Sequence, residues 1–410
     1  MNNNSRLAFH VTAASCCILA MMLDSYSKTS ATISLIIIST LIFTKLANFK
    51  NPIHMMWMSA HYTFCLMPSI ILYFSRIHTS YSAAIYCSFF TSVLLAATHR
   101  EESKKTSKIY IHVPFKLYGA TLLTSTALLY TTNGGSFLYA TPLIITLFAA
   151  YCKNTSRTSG AAAYGLFVAY VMIYGLFFWS EFGRLILAGS LLAPLLALLN
   201  RLGLDAAKLP LLAFTATAGL FGSLLRIEGA TPSTIMVAAL QDSAISPLVT
   251  AQDLLNKSDP NGAIRLTEWW DQVLLFFIAP LPRTWWLEKP YGFGFQYVLD
   301  NFSSSYASAG HSIAGTFMGE HIYYLPYPLF IFGTLLSILL ISVLYRTIQS
   351  SSIFLECGSY IVAIYIPTFY WGGLASFSAR FIIGLVPALI ALLLFKMYTK
   401  LLKSNDTSTP

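Results

Sequence analysis

The chain has 410 residues, of which 56% are hydrophobic and only 10% charged, with mean hydropathy +0.64 and a net charge of +9. A water-soluble domain carries about 25% charged residues, so this sequence cannot cover a soluble surface, and soluble enzymes are excluded. The basic residues fall mostly in short segments between apolar runs, with no soluble basic domain to hold a nucleic acid.

Apolar runs near the roughly 20 residues that cross a hydrocarbon core recur along the chain. Twelve transmembrane spans are expected, at 7–23, 31–46, 53–74, 82–98, 114–131, 136–152, 160–179, 185–199, 209–225, 327–344, 353–370 and 381–397. The first follows a short polar start ending at Arg6, and no small-x-small cleavage pattern precedes Asp24, so a retained helix is expected there. The expected fold is an all-α integral membrane protein. It divides into an N-terminal bundle (1–225), a large loop (226–326), a C-terminal group of spans (327–397) and a tail (398–410). All six cysteines (Cys16, Cys17, Cys65, Cys87, Cys152 and Cys357) lie in or at the ends of apolar runs without metal-ligand spacing. They read as packing residues, with no disulfide framework and no zinc site.

Alternate inter-span segments carry fifteen Lys and Arg, from Arg6 through Lys45, Lys104, Arg201 and Arg346 to Lys403. The short segments on the opposite side carry only Lys28, Arg76, Arg184 and Arg380. The positive-inside rule puts the basic side and both termini in the cytoplasm, and the large loop outside. Residues 233–256 of that loop read as a helix lying on the membrane. Residues 264–280, with Trp269 and Trp270 ahead of a short apolar run, read as an interfacial or re-entrant helix.

Chemistry-bearing residues cluster on the loop side. Arg184 follows Glu181 where a span meets the surface, and Arg226 precedes Glu228 at the start of the loop. Arg283 and Lys289 lie in a Pro/Trp-rich segment, His311 sits among small residues, Glu320 follows Gly319, and Arg380 comes just before the last expected span. Each has a plain reading: the arginines snorkel or pair with a nearby carboxylate, the Pro/Trp segment is an interfacial turn, His311 is a solvated loop residue, and Glu320 caps a helix end. The functional reading is that several cations on the side where positive charge is disfavoured hold an anionic group. Guanidinium groups suit phosphate oxygens through paired hydrogen bonds. His54, His61 and His99 lack metal-ligand spacing and read as packing or interfacial residues; His321 is adjacent to Glu320, and neighbours in sequence rarely share a face.

The Pro282-x-x-Trp285-Trp286-x-x-Lys289-Pro290 segment with Arg283 inside it, the outward Gly183-Arg184, the later Gly319-Glu320 and the single large late loop together resemble O-antigen polymerases of the Wzy type. The motifs cluster in 180–326. One departure is that Leu325-Pro326-Tyr327-Pro328 stands where a Gly-rich stretch is expected. The resemblance implies a glycosyltransferase that joins undecaprenyl-pyrophosphate-linked oligosaccharide repeat units at the periplasmic face of a bacterial inner membrane. It requires no metal and no cofactor. Its partners are the lipid-pyrophosphate-linked donor and acceptor and membrane lipids, with room for a chain-length regulator and none for nucleic acid. It implies His311 or Glu320 as the base, and Arg184, Arg226, Arg283, Lys289 and Arg380 as pyrophosphate ligands. An O-antigen ligase using the same donor, a flippase or transporter for lipid-linked oligosaccharide, and a receptor or structural membrane protein are the competing readings.

Overall fold

The computed structural model of the chain describes residues 16–17, 28–42, 47–48, 50–74, 81–98, 113–153, 155–178, 184–204, 210–211, 246–259, 262–278, 281, 283–302, 312–350 and 358–406. Among these the fold is all-helical, with thirteen helices. Seven come before the large loop: α1 (Lys28–Leu41), α2 (Pro52–Phe74), α3 (Ser82–Thr98), α4 (Phe115–Thr131), α5 (Phe137–Lys153), α6 (Arg157–Phe177) and α7 (Arg184–Leu202). The loop holds α8 (Ser246–Lys257), α9 (Leu266–Ile278), α10 (Phe293–Asn301) and α11 (Thr316–Tyr324), and α12 (Phe330–Ser350) and α13 (Gly358–Asp406) follow it. Five stretches are long and apolar enough to cross a membrane, at Pro52–Phe74, Arg157–Phe177, Leu185–Leu202, Phe330–Ile348 and Ser359–Ile390, and three shorter apolar helices accompany them. By helix length and hydropathy the chain is a multi-pass membrane protein.

Helices occupy ten of the twelve expected span positions; the expected spans at 7–23 and 209–225 fall almost wholly outside the described residues. Several hydroxyls inside these helices are satisfied locally. In α4 the hydroxyls of Thr121, Thr124 and Thr126 donate to the carbonyls of Leu117, Ala120 and Leu122, one turn back. In α2 a π-helical turn at Tyr62–Leu66 precedes Pro68. The wider turn gives room for a proline ring that would otherwise press on the carbonyl four residues earlier.

The last two expected spans belong to α13, which is interrupted by non-helical backbone at Gly372 and Gly373. Two ring pairs show what the interruption does. Phe369 and Phe377 lie 6.0 Å apart between ring centroids, and so do Tyr365 and Phe381. At 1.5 Å per residue, a continuous helix would separate these pairs by about 12 and about 24 Å along its axis. Both pairs are centred on residue 373, so α13 is a helical hairpin: a first limb, 358–371, turns at Gly372–Gly373 and returns as a second limb, 374–406. The described residues of the first limb span about 21 Å.

Side-chain ties define two ends of the bundle. At one, Asn200 donates to the Lys50 carbonyl and to the Tyr360 hydroxyl, and Arg201 donates to the carbonyls of Cys152 and Thr155. Arg346 donates to Ala97 O, and His54 lies between the Asn48 amide and Thr98 Oγ1. These are the basic segments that the sequence assigns to one side. The loop helices gather at the opposite end. There Gln252 of α8 accepts from the Ala83 amide at the start of α3, and Ser378 of the second limb donates to the Leu275 and Phe276 carbonyls of α9. Helix α9 lies within the segment expected at 264–280 as an interfacial or re-entrant helix, and α8 covers the end of the helix expected at 233–256.

The hairpin turn depends on Gly373. Its φ of 77° and ψ of −165° fall in a region that is essentially glycine-only, and a Cβ there would lie 2.6 Å from the Glu320 carboxyl carbon. Gly373→Ala is expected to cost about 1–3 kcal/mol in backbone strain alone, before any displacement of Glu320. The readout is a lower thermal unfolding midpoint in detergent. A wild-type midpoint would show that the turn does not need a glycine.

Candidate functional site

The second limb opens with unpaired backbone amides, as every helix N-terminus does. Here the acceptor comes from another helix: Glu320 Oε1 takes the Leu374 N–H at 2.9 Å. Glu320 reaches the turn because α11 is inserted into the bundle rather than laid on its surface. Phe317, one turn before Glu320, is fully buried with its ring 5.3 Å from Trp57, 5.9 Å from Phe369 and 5.1 Å from Tyr370. Thr316, the first residue of α11, is held at φ 60°, a real outlier for a β-branched residue. Such strain persists where surrounding packing over-determines the backbone, often at functional sites.

Glu320 is fully buried, and its second oxygen, Oε2, has no hydrogen-bond partner among the described residues. Burial pushes its carboxyl up to about 8, against the opposing pull of the Leu374 and Ala375 amides. At neutral pH the neutral acid predominates. Because Oε1 accepts from Leu374, the proton of that acid belongs on Oε2.

His321 is also fully buried, and burial lowers its imidazole to about 3. Its Nδ1 accepts the Trp269 indole N–H at 3.0 Å; its Nε2 lies 2.6 Å from Ser337 Oγ and 3.5 Å from Glu320 Oε1. Gln272, 2% exposed, fixes the neighbouring strand of loop. Its Nε2 donates to Tyr291 O at 2.9 Å, and its Oε1 accepts the Phe293 N–H at 2.8 Å.

The Pro/Trp-rich segment is an internally clipped turn. The Arg283 guanidinium donates to the carbonyls of Lys289 and Pro290 and stacks 3.9 Å over the Tyr291 ring, while Lys289 Nζ donates to Leu281 O at 2.8 Å. Burial and the nearby Arg283 charge lower the Lys289 ammonium. This turn abuts the hairpin, since a Cβ on Gly292 would lie 3.4 Å from Ala375 Cβ. Arg283 and Glu320 are thereby linked through Tyr291, Gly292 and the first residues of the second limb. Among the described residues no carboxylate pairs with Arg283.

Arg380 does not precede the last helix. It lies seven residues inside the second limb, about 10 Å along the axis from Gly373, with its guanidinium folded back to Ser376 O at 2.8 Å. Arg184 is the first residue of α7. A Cβ on Gly189 would lie 2.2 Å from Ile364 O, and Arg184 is five residues above that contact while the hairpin turn is eight above it. The start of α7 therefore lies within about one helical turn of the level of the hairpin turn. Arg226 and His311 lie outside the described residues. The structure thus brings Glu320, Arg283 and Lys289 around the hairpin turn, with Arg184 near its level and Arg380 deeper in the limb.

Sequence reasoning did not pick out Gln272, Trp269 as a hydrogen-bond donor, or the Gly372–Gly373 turn. Adjacent glycines in an apolar run were the available signal for the last of these. An open cleft of about 260 Å³ runs beside α11, its lining including Ser258, Asp259, Tyr297, Asn301 and Tyr323. No group of three His, Cys, Asp or Glu able to hold a metal ion occurs among the described residues.

The two buried groups give a signed pH dependence. Glu320, raised from 4.5 to about 8, contributes stability at low pH that is lost as pH rises toward about 8. His321, lowered from 6.5 to about 3, contributes stability above 6.5 that is lost as pH falls toward about 3. The two oppose each other between 4.5 and 6.5, and of this pair only Glu320 contributes between 6.5 and 8. In that window stability is expected to fall by up to roughly 1.4 kcal/mol per pH unit. Glu320→Gln should flatten the slope, measured as unfolding midpoint against pH in detergent; an equally steep slope in the variant would assign it to another group. No protein family, no curated protein and no solved structure matches this chain.

Proposed function

We propose that this protein is a glycosyltransferase that polymerises lipid-pyrophosphate-linked oligosaccharide repeat units into O-antigen or a related surface polysaccharide, as the Wzy-type polymerases that its sequence resembles do. The observation that carries the reading is the Glu320 carboxyl. Among the described residues it is buried at a helix N-terminus, has one oxygen without a hydrogen-bond partner, and lies next to a turn whose guanidinium has no carboxylate partner. In the reaction, a hydroxyl at the non-reducing end of the acceptor attacks the anomeric carbon of the donor glycan. The new C–O bond forms, the bond from that carbon to the pyrophosphate breaks, and the lipid pyrophosphate leaves. The hydroxyl proton passes to a base. A carboxyl at about 8 is close to the pKa that best serves a general base near neutral pH. Arg184, Arg283 and Lys289, with Arg226 and Arg380, would stabilise the charge growing on the leaving group. The cleft beside α11, whose lining includes Ser258, Asp259 and Asn301, would offer hydroxyl-binding groups to acceptor sugars.

In this reading the basic end of the bundle is cytoplasmic, the loop helices face the periplasm, and the protein lies in a bacterial inner membrane. Reporters fused after Lys108, Lys208 and Lys403 are expected to read cytoplasmic, and one near Asn261 periplasmic; a cytoplasmic readout at Asn261 would put the site on the wrong face.

A second reading has a specific observation behind it. A helix interrupted inside the bundle, with a liganded N-terminus at the break, is a device of secondary transporters, which favours a flippase. Purified protein in vesicles with a lipid-pyrophosphate-linked repeat separates the two, by glycan ladder length against flux of the lipid-linked repeat. For the polymerase, ladders should grow faster as pH rises through about 8, and Glu320→Gln should lose about 10²- to 10⁴-fold in rate. Arg184→Ala should stop elongation, while Arg184→Lys should restore part of it, because an ammonium lacks the guanidinium fork. Loss of ladders in His311→Ala with normal ladders in Glu320→Gln would move the base to His311. Flux without ladders in the wild type would replace the polymerase with the flippase.

A further inference from the structure

We infer that His321, oriented by the indole of Trp269, is a positioning residue that directs a ring N–H at the Glu320 carboxyl and so sets how readily that carboxyl ionises. An indole nitrogen is only a donor. The 3.0 Å contact from Trp269 Nε1 to His321 Nδ1 therefore requires a lone pair on Nδ1, and the proton of the neutral ring must be on Nε2. That nitrogen faces Ser337 Oγ at 2.6 Å and Glu320 Oε1 at 3.5 Å.

Space for the indole–imidazole pair is provided by α12. A Cβ on Gly333 would lie 2.7 Å from His321 Nδ1 and 3.0 Å from Trp269 Nε1. The pair thus occupies volume that any other residue at 333 would claim, and its orientation is fixed from three helices: α9, α11 and α12.

While Glu320 is neutral, the Nε2 proton is used by Ser337. When Glu320 loses its proton, Oε1 becomes an ionised acceptor, and charge-assisted bonds are roughly twice as strong as neutral ones. A small swing of the ring then shares the N–H with the carboxylate. Burial keeps His321 itself uncharged, so it stabilises the carboxylate without taking up the proton.

Other ionisable groups on the elements around α11 are engaged elsewhere or distant in role. Lys257 pairs with Asp253 on α8, and Arg265 pairs with Glu268 at α9 and with Asp300 on α10. Asp271 of α9 interacts with Glu268. Tyr324 of α11 senses Glu320, and Tyr323 binds Asp300. On α13, Tyr370 bonds His61 and Arg380 bonds Ser376 O; Arg346 of α12 bonds Ala97 O at the other end of the bundle.

The functional meaning of this coupling rests on Glu320 being the proton acceptor, but its test does not. The protonated carboxyl C=O stretch of Glu320 would be titrated by infrared difference spectroscopy on the detergent-solubilised full chain, with Glu320→Gln assigning the band. Loss of a charge-assisted bond is expected to move the ionisation constant about 10- to 100-fold. The midpoint should therefore rise by about one to two pH units in His321→Phe. It should stay near wild type in His321→Gln, whose amide N–H can take the place of Nε2–H, and should rise in Trp269→Phe, which releases the tautomer. If His321→Phe fails to fold, Trp269→Phe decides alone. An unchanged midpoint in the folded variants overturns the proposal. A raised midpoint with a matching rise in the pH–rate inflection of ladder growth supports it together with Glu320 as base. A raised midpoint without that rise supports the coupling and removes Glu320 from the chemistry.

Discussion

The contact on which the rest of the loop-side architecture depends is the one between the Glu320 carboxyl and the turn of the α13 hairpin. Two helices that reverse direction over two residues leave the first amides of the second limb facing inward, with Leu374 fully buried. A buried amide without an acceptor costs about as much as a lost hydrogen bond, so an acceptor must be delivered from elsewhere. Delivering it from α11 dictates the path of the chain around it. Helix α11 must press its first turn into the bundle, with Phe317 among Trp57, Phe369 and Tyr370. Its first residue must accept a positive φ. The Phe293 ring must close against Gly315 and Gly319, which Gln272 arranges by holding the Phe293 amide. Loop helices that in sequence look like a detachable cap are therefore part of the bundle's closure.

That same contact brings opposing electrostatic effects onto one group. Removal from water favours the neutral acid, while the Leu374 and Ala375 amides and the positive end of the second limb favour the carboxylate. Burial wins, but not by enough to make the acid permanently neutral, and a group left near balance is one that neighbours can tip. The cations nearby divide their donors between structure and charge. Arg283 spends two N–H groups on carbonyls of its own turn and lays its face on Tyr291. Those bonds fix its position, yet carbonyls do not neutralise a guanidinium. A cation that is immobilised and still charged is suited to an anion whose charge grows during reaction, because no reorganisation is needed when that charge appears.

Much of this was legible in the sequence, and the exceptions have a physical cause. Apolar run length located the helices, and alternation of basic segments foretold which of them share an end of the bundle. Trp269 and Trp270 ahead of a short apolar run marked α9. The misplacement came at 371–380, the segment between the last two expected spans, which holds Ser376, Ser378 and Arg380. These side chains are satisfied inside the protein: Ser378 donates to carbonyls of α9, and Arg380 returns to the Ser376 carbonyl. Hydropathy counts polar atoms without knowing whether a neighbouring helix supplies their partners. Glu320 and His321 show the complementary limit. Adjacent residues rarely share a helix face, but α11 is enclosed on several sides, so one faces the α13 turn while the other faces α9 and α12. Their relation is set by tertiary packing, which no local periodicity carries.

The hairpin also bears on how transfer and transport could be distinguished on physical grounds. A transporter's half-helices line a path open alternately to both sides, and the groups at their ends bind a substrate that must leave again. Here the N-terminus of the second limb is already occupied by a side chain of the protein. The elements around it are tied on the loop side by Gln272 and Ser378 and packed below by the aromatic residues of α2 and the first limb. Releasing the hairpin to open a path inward would strip the Leu374 amide of its acceptor and leave a buried carboxyl with neither partner. A reaction at a fixed site needs no such opening. It requires that a base, a set of cations and an approach from one side be held still relative to one another. In the glycosyltransferase reading proposed above, the Glu320–Leu374 bond, the clipped Arg283 turn and the cleft beside α11 would be the parts that hold base, cations and approach in place.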